Sequence, residues 1–277
     1  MNDEVLAYDS VKICLQGKTT AENISFSLKQ GEILGIVGES GSGKSTLLKA
    51  AMGFLGDGGA VVQGHIWFQG KNLPQLAEKE MQRIRGTGIG MIFQDAKSSF
   101  CPVRTIGAQI CESLNCKCGW SKKETKVKAM ELFEKLEFGE GERIWNSFPF
   151  ALSGGMNQRA AIAAAMLLNP SVLLADEPTS ALDALVQQQT VTELLRLRQL
   201  FGTSILLVTH DMGVVRAMAD KILVLKEGKQ VEYGPAEQIL SYPQKDYTKA
   251  LLEAEFRIQR SEKDGTDVGS KEPERGI

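Results

Sequence analysis

The sequence predicts an α/β fold with a parallel sheet at its core, a β-rich N-terminal part and an inserted helical region. Three observations on the 277 residues carry this. The run Ile33-Leu-Gly-Ile-Val37 is apolar almost throughout, as a parallel strand buried on both faces requires, and a Gly/Ser-rich turn leads from it into the helix-like stretch Lys44 to Met52. Further on, strand-like Ser171 to Ala175 and Thr203 to Val208 flank a helix-like Ala184 to Leu200, the alternation that builds a parallel sheet. Between these two regions, Asp95 to Met156 is richer in helix formers, and Lys122 to Leu136 carries an amphipathic pattern.

Taken in order, the first third shows short apolar runs at Ile24 to Leu28, Glu32 to Val37 and His65 to Phe68, separated by Gly-containing turns. His65 is read as a structural residue. Met156 to Leu168 is helix-like, and the core resumes after it. Ile222 to Leu225 and Gln230 to Tyr233 bracket Lys226-Glu-Gly-Lys229 and predict a late hairpin. Gln259 to Ile277 is polar and nearly free of large apolar residues, which predicts a disordered tail.

Composition excludes several classes. The net charge is −2 with 24% charged residues, so no basic surplus exists to neutralise a phosphate backbone, and nucleic acid is not expected as a main partner. The longest apolar runs, such as Ala160 to Leu168, reach about half of the roughly 20 residues that a membrane-spanning helix needs. Met1-Asn-Asp-Glu-Val is acidic and does not resemble a secretory signal, so a cytoplasmic location with reduced thiols is expected. The five cysteines are odd in number, and the spacing of Cys111, Cys116 and Cys118 matches no standard zinc or iron–sulfur pattern. They are read as ordinary thiols in a helical segment.

The strongest chemical signal is Gly38-Glu39-Ser40-Gly41-Ser42-Gly43-Lys44-Ser45-Thr46, a full P-loop pattern between a buried strand and a helix. Its glycines let successive N–H groups turn towards phosphate oxygens, and the helix N-terminus adds partial positive charge. Lys44 is expected to neutralise the β and γ phosphates of ATP, and Ser45 to offer its hydroxyl to Mg²⁺. The second signal is Val172-Leu-Leu-Ala-Asp176-Glu177-Pro178, where two carboxylates stand at the end of an apolar strand. Asp176 is expected in the Mg²⁺ shell and Glu177 beside the attacking water. A strand-end acid pair is often only a helix cap, but Pro178 disfavours a helix that continues at once.

Leu152-Ser153-Gly154-Gly155-Met-Asn-Gln158-Arg159 narrows the choice, because a Ser and two Gly opening a helix form a second phosphate-facing N-terminus. With it the chain resembles the ATP-binding cassette family over about residues 4 to 255. The motifs stand in family order: the P-loop, Gln94, the signature Leu152 to Gln158, the strand ending at Glu177, the D-loop Ser180-Ala181-Leu182-Asp183, and His210. The resemblance implies a P-loop NTPase of the ABC-ATPase type, with a RecA-like parallel core, an N-terminal antiparallel β subdomain and an inserted helical subdomain. It implies one nucleotide-binding domain over 1–257, with a core at about 1–94 and 160–235, a helical subdomain at about 95–159 and a C-terminal helical segment at 236–257. Residues 258–277 follow as the tail.

The resemblance also implies roles. Ser153, Gly154 and Gly155, within a signature that includes Leu152 and Gln158, would face ATP held by a second subunit in a head-to-tail dimer, and Asp183 would touch that partner. Gln94 would join Ser45 and Asp176 around Mg²⁺ and sense the attacking water, and His210 would clamp the γ-phosphate beside Glu177. One departure stands out: the family's adenine-stacking aromatic is missing where Cys14-Leu15 lies, and Tyr8 comes too early to replace it.

Within the family, Met91-Ile-Phe-Gln-Asp-Ala-Lys-Ser-Ser-Phe-Cys-Pro102, Phe148 to Met156, Val208 to Val215 and Tyr242 to Leu252 look most like the ATPase subunits of oligopeptide, dipeptide and nickel importers. The expected partners are a second ATPase subunit, with a heterodimer favoured, two membrane permease subunits at the cytoplasmic face and, indirectly, an external solute-binding protein. A groove near Gln94 to Val103 is the expected permease contact. The Cys-rich extension of longer members is not expected, since no cysteine follows Cys118 in the sequence. The alternatives are a DNA-repair or chromosome-type ATPase of the same family and an exporter subunit.

Overall fold

The computed structural model describes residues 3–180 and 182–254, so the whole of the expected tail lies outside the described residues. The first strands are long: β1 (Glu4–Leu15) and β2 (Lys18–Lys29) pair antiparallel. The fully buried β3 (Ile33–Val37) follows and runs into α1 (Lys44–Met52). The antiparallel part is completed by β4 (Gly59–Phe68) against β1 and the short β5 (Lys71–Asn72), after which α2 (Glu78–Ile84) leads to β6 (Ile89–Ile92).

Four helices come next, α3 (Ile106–Cys118), α4 (Lys122–Lys135), α5 (Gly141–Asn146) and α6 (Gly154–Met166). Their starts are written in the sequence. Thr105 caps α3, Ser153 caps α6, and Ser121 with Glu124 forms a reciprocal capping box on α4. The core then closes with β7 (Val172–Asp176), α7 (Ala184–Phe201), β8 (Ser204–Val208), α8 (Met212–Met218), β9 (Lys221–Lys226), β10 (Lys229–Pro235) and α9 (Ala236–Ser241). Residues 246–254 are helical.

All ten strands form one curled sheet in the order β5-β4-β1-β2-β10-β9-β3-β8-β7-β6. Pairs β9–β3, β3–β8, β8–β7 and β7–β6 are parallel, so β3, β6, β7 and β8 all end on one edge. The antiparallel part joins this block through the parallel pairing of β2 with β10. One apolar layer packs Leu47, Leu48 and Ala51 of α1 between the parallel strands and the faces of β1 and β2. Each large side chain fully buried in it contributes about 1.5–3 kcal/mol. A second layer joins the opposite sheet face to α3–α7, and a third packs α8, α9 and Leu252 on Val37.

Two local outcomes bear on the sequence reading. Tyr8 is 2% exposed, stacks on Phe26 at 4.3 Å and donates its hydroxyl to the Leu47 carbonyl, so it is a core residue. His65 sits 2.9 Å from the Asn72 amide and against Trp67, the structural role expected of it.

Candidate active site

The phosphate loop leaves β3 at the sheet edge where the parallel strands end, the place where open α/β sheets hold ligands. Gly38 is obligatory there. Its φ is +150°, and a Cβ would lie 2.1 Å from the Leu225 carbonyl oxygen. Gly43, at φ +96°, caps α1 with no room for a side chain against the Thr20 carbonyl. Lys44 turns back across the loop, donating to the carbonyls of Gly38 and Glu39 at 2.8 Å each. Burial pushes its ammonium below the usual lysine range, while Glu177, Asp176 and Glu39 pull it back up.

Asp176 is the last residue of β7, and its Oδ1 accepts from the Ser45 hydroxyl at 2.7 Å. Burial raises this carboxyl above the ordinary aspartate range, and the Ser45 hydrogen bond opposes the shift. Glu177 follows in a left-handed conformation, φ +45°, which costs an ordinary residue on the order of 1–3 kcal/mol. The surroundings hold it there: its N–H donates to the Val208 carbonyl at 2.8 Å, and the Ser180 hydroxyl donates to its carbonyl at 2.9 Å. That turn aims the Glu177 carboxylate at two side chains from neighbouring strands. Gln94 Nε2 lies at 3.0 Å, two residues beyond β6, and His210 Nδ1 at 3.4 Å, two beyond β8.

Lys44, Ser45, Gln94, Glu177 and His210 line one cavity of about 650 Å³, together with Ser40, Gly41, Gly43 and Thr46. The cavity suits a triphosphate at one end and a carboxylate-held water at the other. Thr19, Thr20, Glu227 and Gly228 complete the wall. They escaped the sequence reading: Glu227 and Gly228 were legible only as a hairpin turn, and no local pattern brings them to the loop. Among the described residues that line the cavity none is Phe, Tyr or Trp.

The signature residues stand apart from this cavity. Ser153 caps α6 by accepting from the Met156 N–H, and Ser153 and Gly154 are exposed. Leu152 and Gln158 are buried, Gln158 to 3% exposure, so they face the interior. Asn157, also buried, donates to the carbonyls of Pro149, Leu152 and Ser153 and ties the loop down. In the D-loop, Ser180 holds Glu177 as described, and Asp183 is exposed and caps α7 through the Val186 N–H. Ala181 lies outside the described residues. Among the described residues no group of three or more His, Cys, Asp or Glu could hold a metal ion; Cys111 is buried, and Cys116 and Cys118 are exposed.

Comparison with known proteins gives the same picture. The sequence profile of the ABC transporter family matches residues 21–180. A dipeptide transport ATP-binding protein of Lactococcus lactis is 43% identical over 233 residues, covering 84% of this chain and 67% of the relative. An oligopeptide transport ATP-binding protein of Haemophilus influenzae is 41% identical, over 88% of this chain and 75% of its own length. Among solved structures, a dimeric post-hydrolysis ATP-binding cassette bound to ADP and Pi superposes with a TM-score of 0.72 at 30% identity, over 83% of this chain and 98% of that one.

Proposed function

Since the chain belongs to the ABC transporter family and is an ATPase of that family, we propose that it powers the import of dipeptides or oligopeptides through membrane permease subunits. One observation carries the chemistry: Glu177 stands where Gln94, His210 and the Lys44 loop converge, so a water between its carboxylate and a γ-phosphate would be positioned by three strand ends at once. The solute class rests on the relatives named above, which transport dipeptides and oligopeptides.

In this reading Lys44 and the loop amides bind the β and γ phosphates, Glu177 orients and deprotonates the water, and His210 braces the γ-phosphate. Ser45 and Asp176, with Gln94 across the cavity, fit Mg²⁺. They are oxygen donors, and the first two already meet at 2.7 Å. Bound there, Mg²⁺ would neutralise charge developing on the β and γ oxygens. The exposed Ser153 and Gly154, outside their own chain's cavity, would complete the site of a second ATPase subunit, a reading supported by the dimeric state of the similar cassette. Residues 1–257 would act as one nucleotide-binding domain.

The permease contact is the apolar groove of about 420 Å³ between the core and the helical subdomain. Phe54 and Phe93 line it and stay 43% and 42% exposed, and Phe100 forms part of its wall. Large apolar side chains left half exposed along one groove mark an interaction surface. Among the described residues no helix is long and apolar enough to cross a membrane, so the transport path belongs to the permeases, and this subunit would sit at their cytoplasmic face.

The test is peptide uptake by cells carrying the assembled transporter. Glu177→Gln should abolish uptake and ATP turnover while leaving ATP binding intact; uptake that persists in this variant would refute the proposal.

A further inference from the structure

We propose that Tyr247, in the C-terminal helical segment, is a positioning residue for the phosphate loop, and that ATP affinity depends on it. This rests on the reading of the loop as the ATP site. The Tyr247 hydroxyl accepts from the backbone N–H of Glu39 at 3.3 Å, a contact between residues 208 positions apart. The carbonyl of the same Glu39 accepts from Lys44 at 2.8 Å and from the Ser42 N–H at 3.2 Å. Glu39 is therefore held from outside the loop by Tyr247 and from inside by the phosphate-binding lysine.

The same segment reaches the loop in two other ways. Leu252 packs in the cluster that contains Val37, the residue just before Gly38. The Lys226 ammonium stands 4.8 Å from the Tyr247 ring, and the turn that follows Lys226 donates from the Gly228 N–H to the Ser42 carbonyl at 3.1 Å. Segment, hairpin turn and loop thus brace one another. The segment is itself anchored, since the Glu232 carboxylate accepts from the N–H groups of Gln244 and Lys245 at 3.0 and 3.3 Å.

A phosphate loop binds well only if its amides are aimed before the ligand arrives. Releasing Glu39 from Tyr247 frees the outer half of the loop to rotate, so the loss appears in binding. Gln94, Glu177 and His210 follow the ends of other strands, so the chemical step is untouched.

The experiment titrates Mg-ATP into the purified chain, unaltered and as Tyr247→Phe, and measures turnover of both in the assembled transporter. Phe keeps the ring beneath Lys226 and removes only the hydroxyl. The expected result is a rise of about three- to tenfold in Kd and KM, the worth of one neutral hydrogen bond, with kcat within twofold and an unfolding midpoint lowered by no more than about 4 °C. An unchanged Kd, a fall in kcat at constant KM, or an unfolding midpoint lowered by more than about 4 °C in Tyr247→Phe would each overturn the proposal. Failure of the unaltered chain to bind Mg-ATP would instead sink the reading of the site, and this inference with it.

Discussion

Gln94 donates its amide to the Glu177 carboxylate across 3.0 Å, although 83 residues separate them. Sheet register explains the meeting: β6 and β7 pair in parallel with Ile92 opposite Ala175, so residues two beyond each partner emerge side by side. The proposed helical subdomain begins just after Gln94, so this hydrogen bond links the proposed water-activating group to the stretch proposed to meet the permease. Removing the carboxylate should show its weight. Glu177→Gln keeps the shape and an acceptor oxygen, and its ATP turnover should fall by at least about 100-fold with ATP affinity little changed. Steady-state phosphate release and equilibrium nucleotide binding on the same preparation would test this, and a turnover loss under tenfold would remove Glu177 from its role.

Arg159 and Glu193 form the most buried ion pair of the helical layer, at 2.7 Å with side chains 24% and 10% exposed. Burial pushes the Glu193 carboxyl above the ordinary glutamate range, and Arg159 opposes that shift. Arg159→Met strands the carboxylate and should cost about 2–3 kcal/mol at neutral pH by urea unfolding. The sign follows from proton linkage. An acid whose folded pKa is raised holds its proton more tightly when folded, so stability falls as pH rises from the ordinary glutamate range through the raised value. The deficit of Arg159→Met should therefore shrink on acidification, and Glu193→Gln should restore part of it at pH 7. A deficit independent of pH would mean that lost packing on Phe138, which Arg159 also covers, dominates.

The sequence made the phosphate loop, the acid pair and the signature legible because each is a local pattern whose chemistry depends on neighbours in the chain. Strands β3, β7 and β8 were visible for the same reason, being short apolar runs buried throughout. The 12-residue β1 was not, because Val5, Leu6, Tyr8, Val11 and Ile13 point inward irregularly across several register shifts, and polar residues interrupt the run. Tertiary approach is invisible to local reading. Thr19, Thr20 and Gly228 reach the cavity through the pairing of β2 with β10, and Tyr247 reaches Glu39 through the packing of Leu252. The buried side chains of Leu152 and Gln158 belong with these: the motif was legible, but not which of its members turn inward.

Asp176 predicts a pH effect of its own. Burial, the largest influence on it, raises the carboxyl, and attraction to Lys44 and Lys49 offsets only part of this. Without nucleotide or Mg²⁺, stability should fall as pH rises from the ordinary aspartate range through the raised value, because the folded chain binds the proton more tightly there. Asp176→Asn retains an acceptor for Ser45 and removes the charge, so it should be the more stable protein at pH 7, with the gap closing on acidification. Mg-ATP turnover in the same variant should collapse. Thermal unfolding across a pH series, with and without Mg-ATP, separates the two effects; a variant less stable than the unaltered chain at pH 7 would contradict the burial argument.

Phe93 tests the proposed permease contact without touching the chemistry. It is the residue just before Gln94, and 42% of it faces solvent in a wall shared with Phe54 and Phe100. A charge placed there cannot be buried against an apolar helix without several kcal/mol of desolvation, whereas in the free subunit it stays in water at little cost. Phe93→Asp should therefore leave folding and ATP binding unchanged while reducing co-purification with the permease subunits by tenfold or more. Phe93→Leu, which preserves apolar area, should retain most of the association. Equal recovery of permease by the Asp variant would move the docking surface elsewhere, and weakened ATP binding in that variant would mean that Phe93 acts through Gln94 instead.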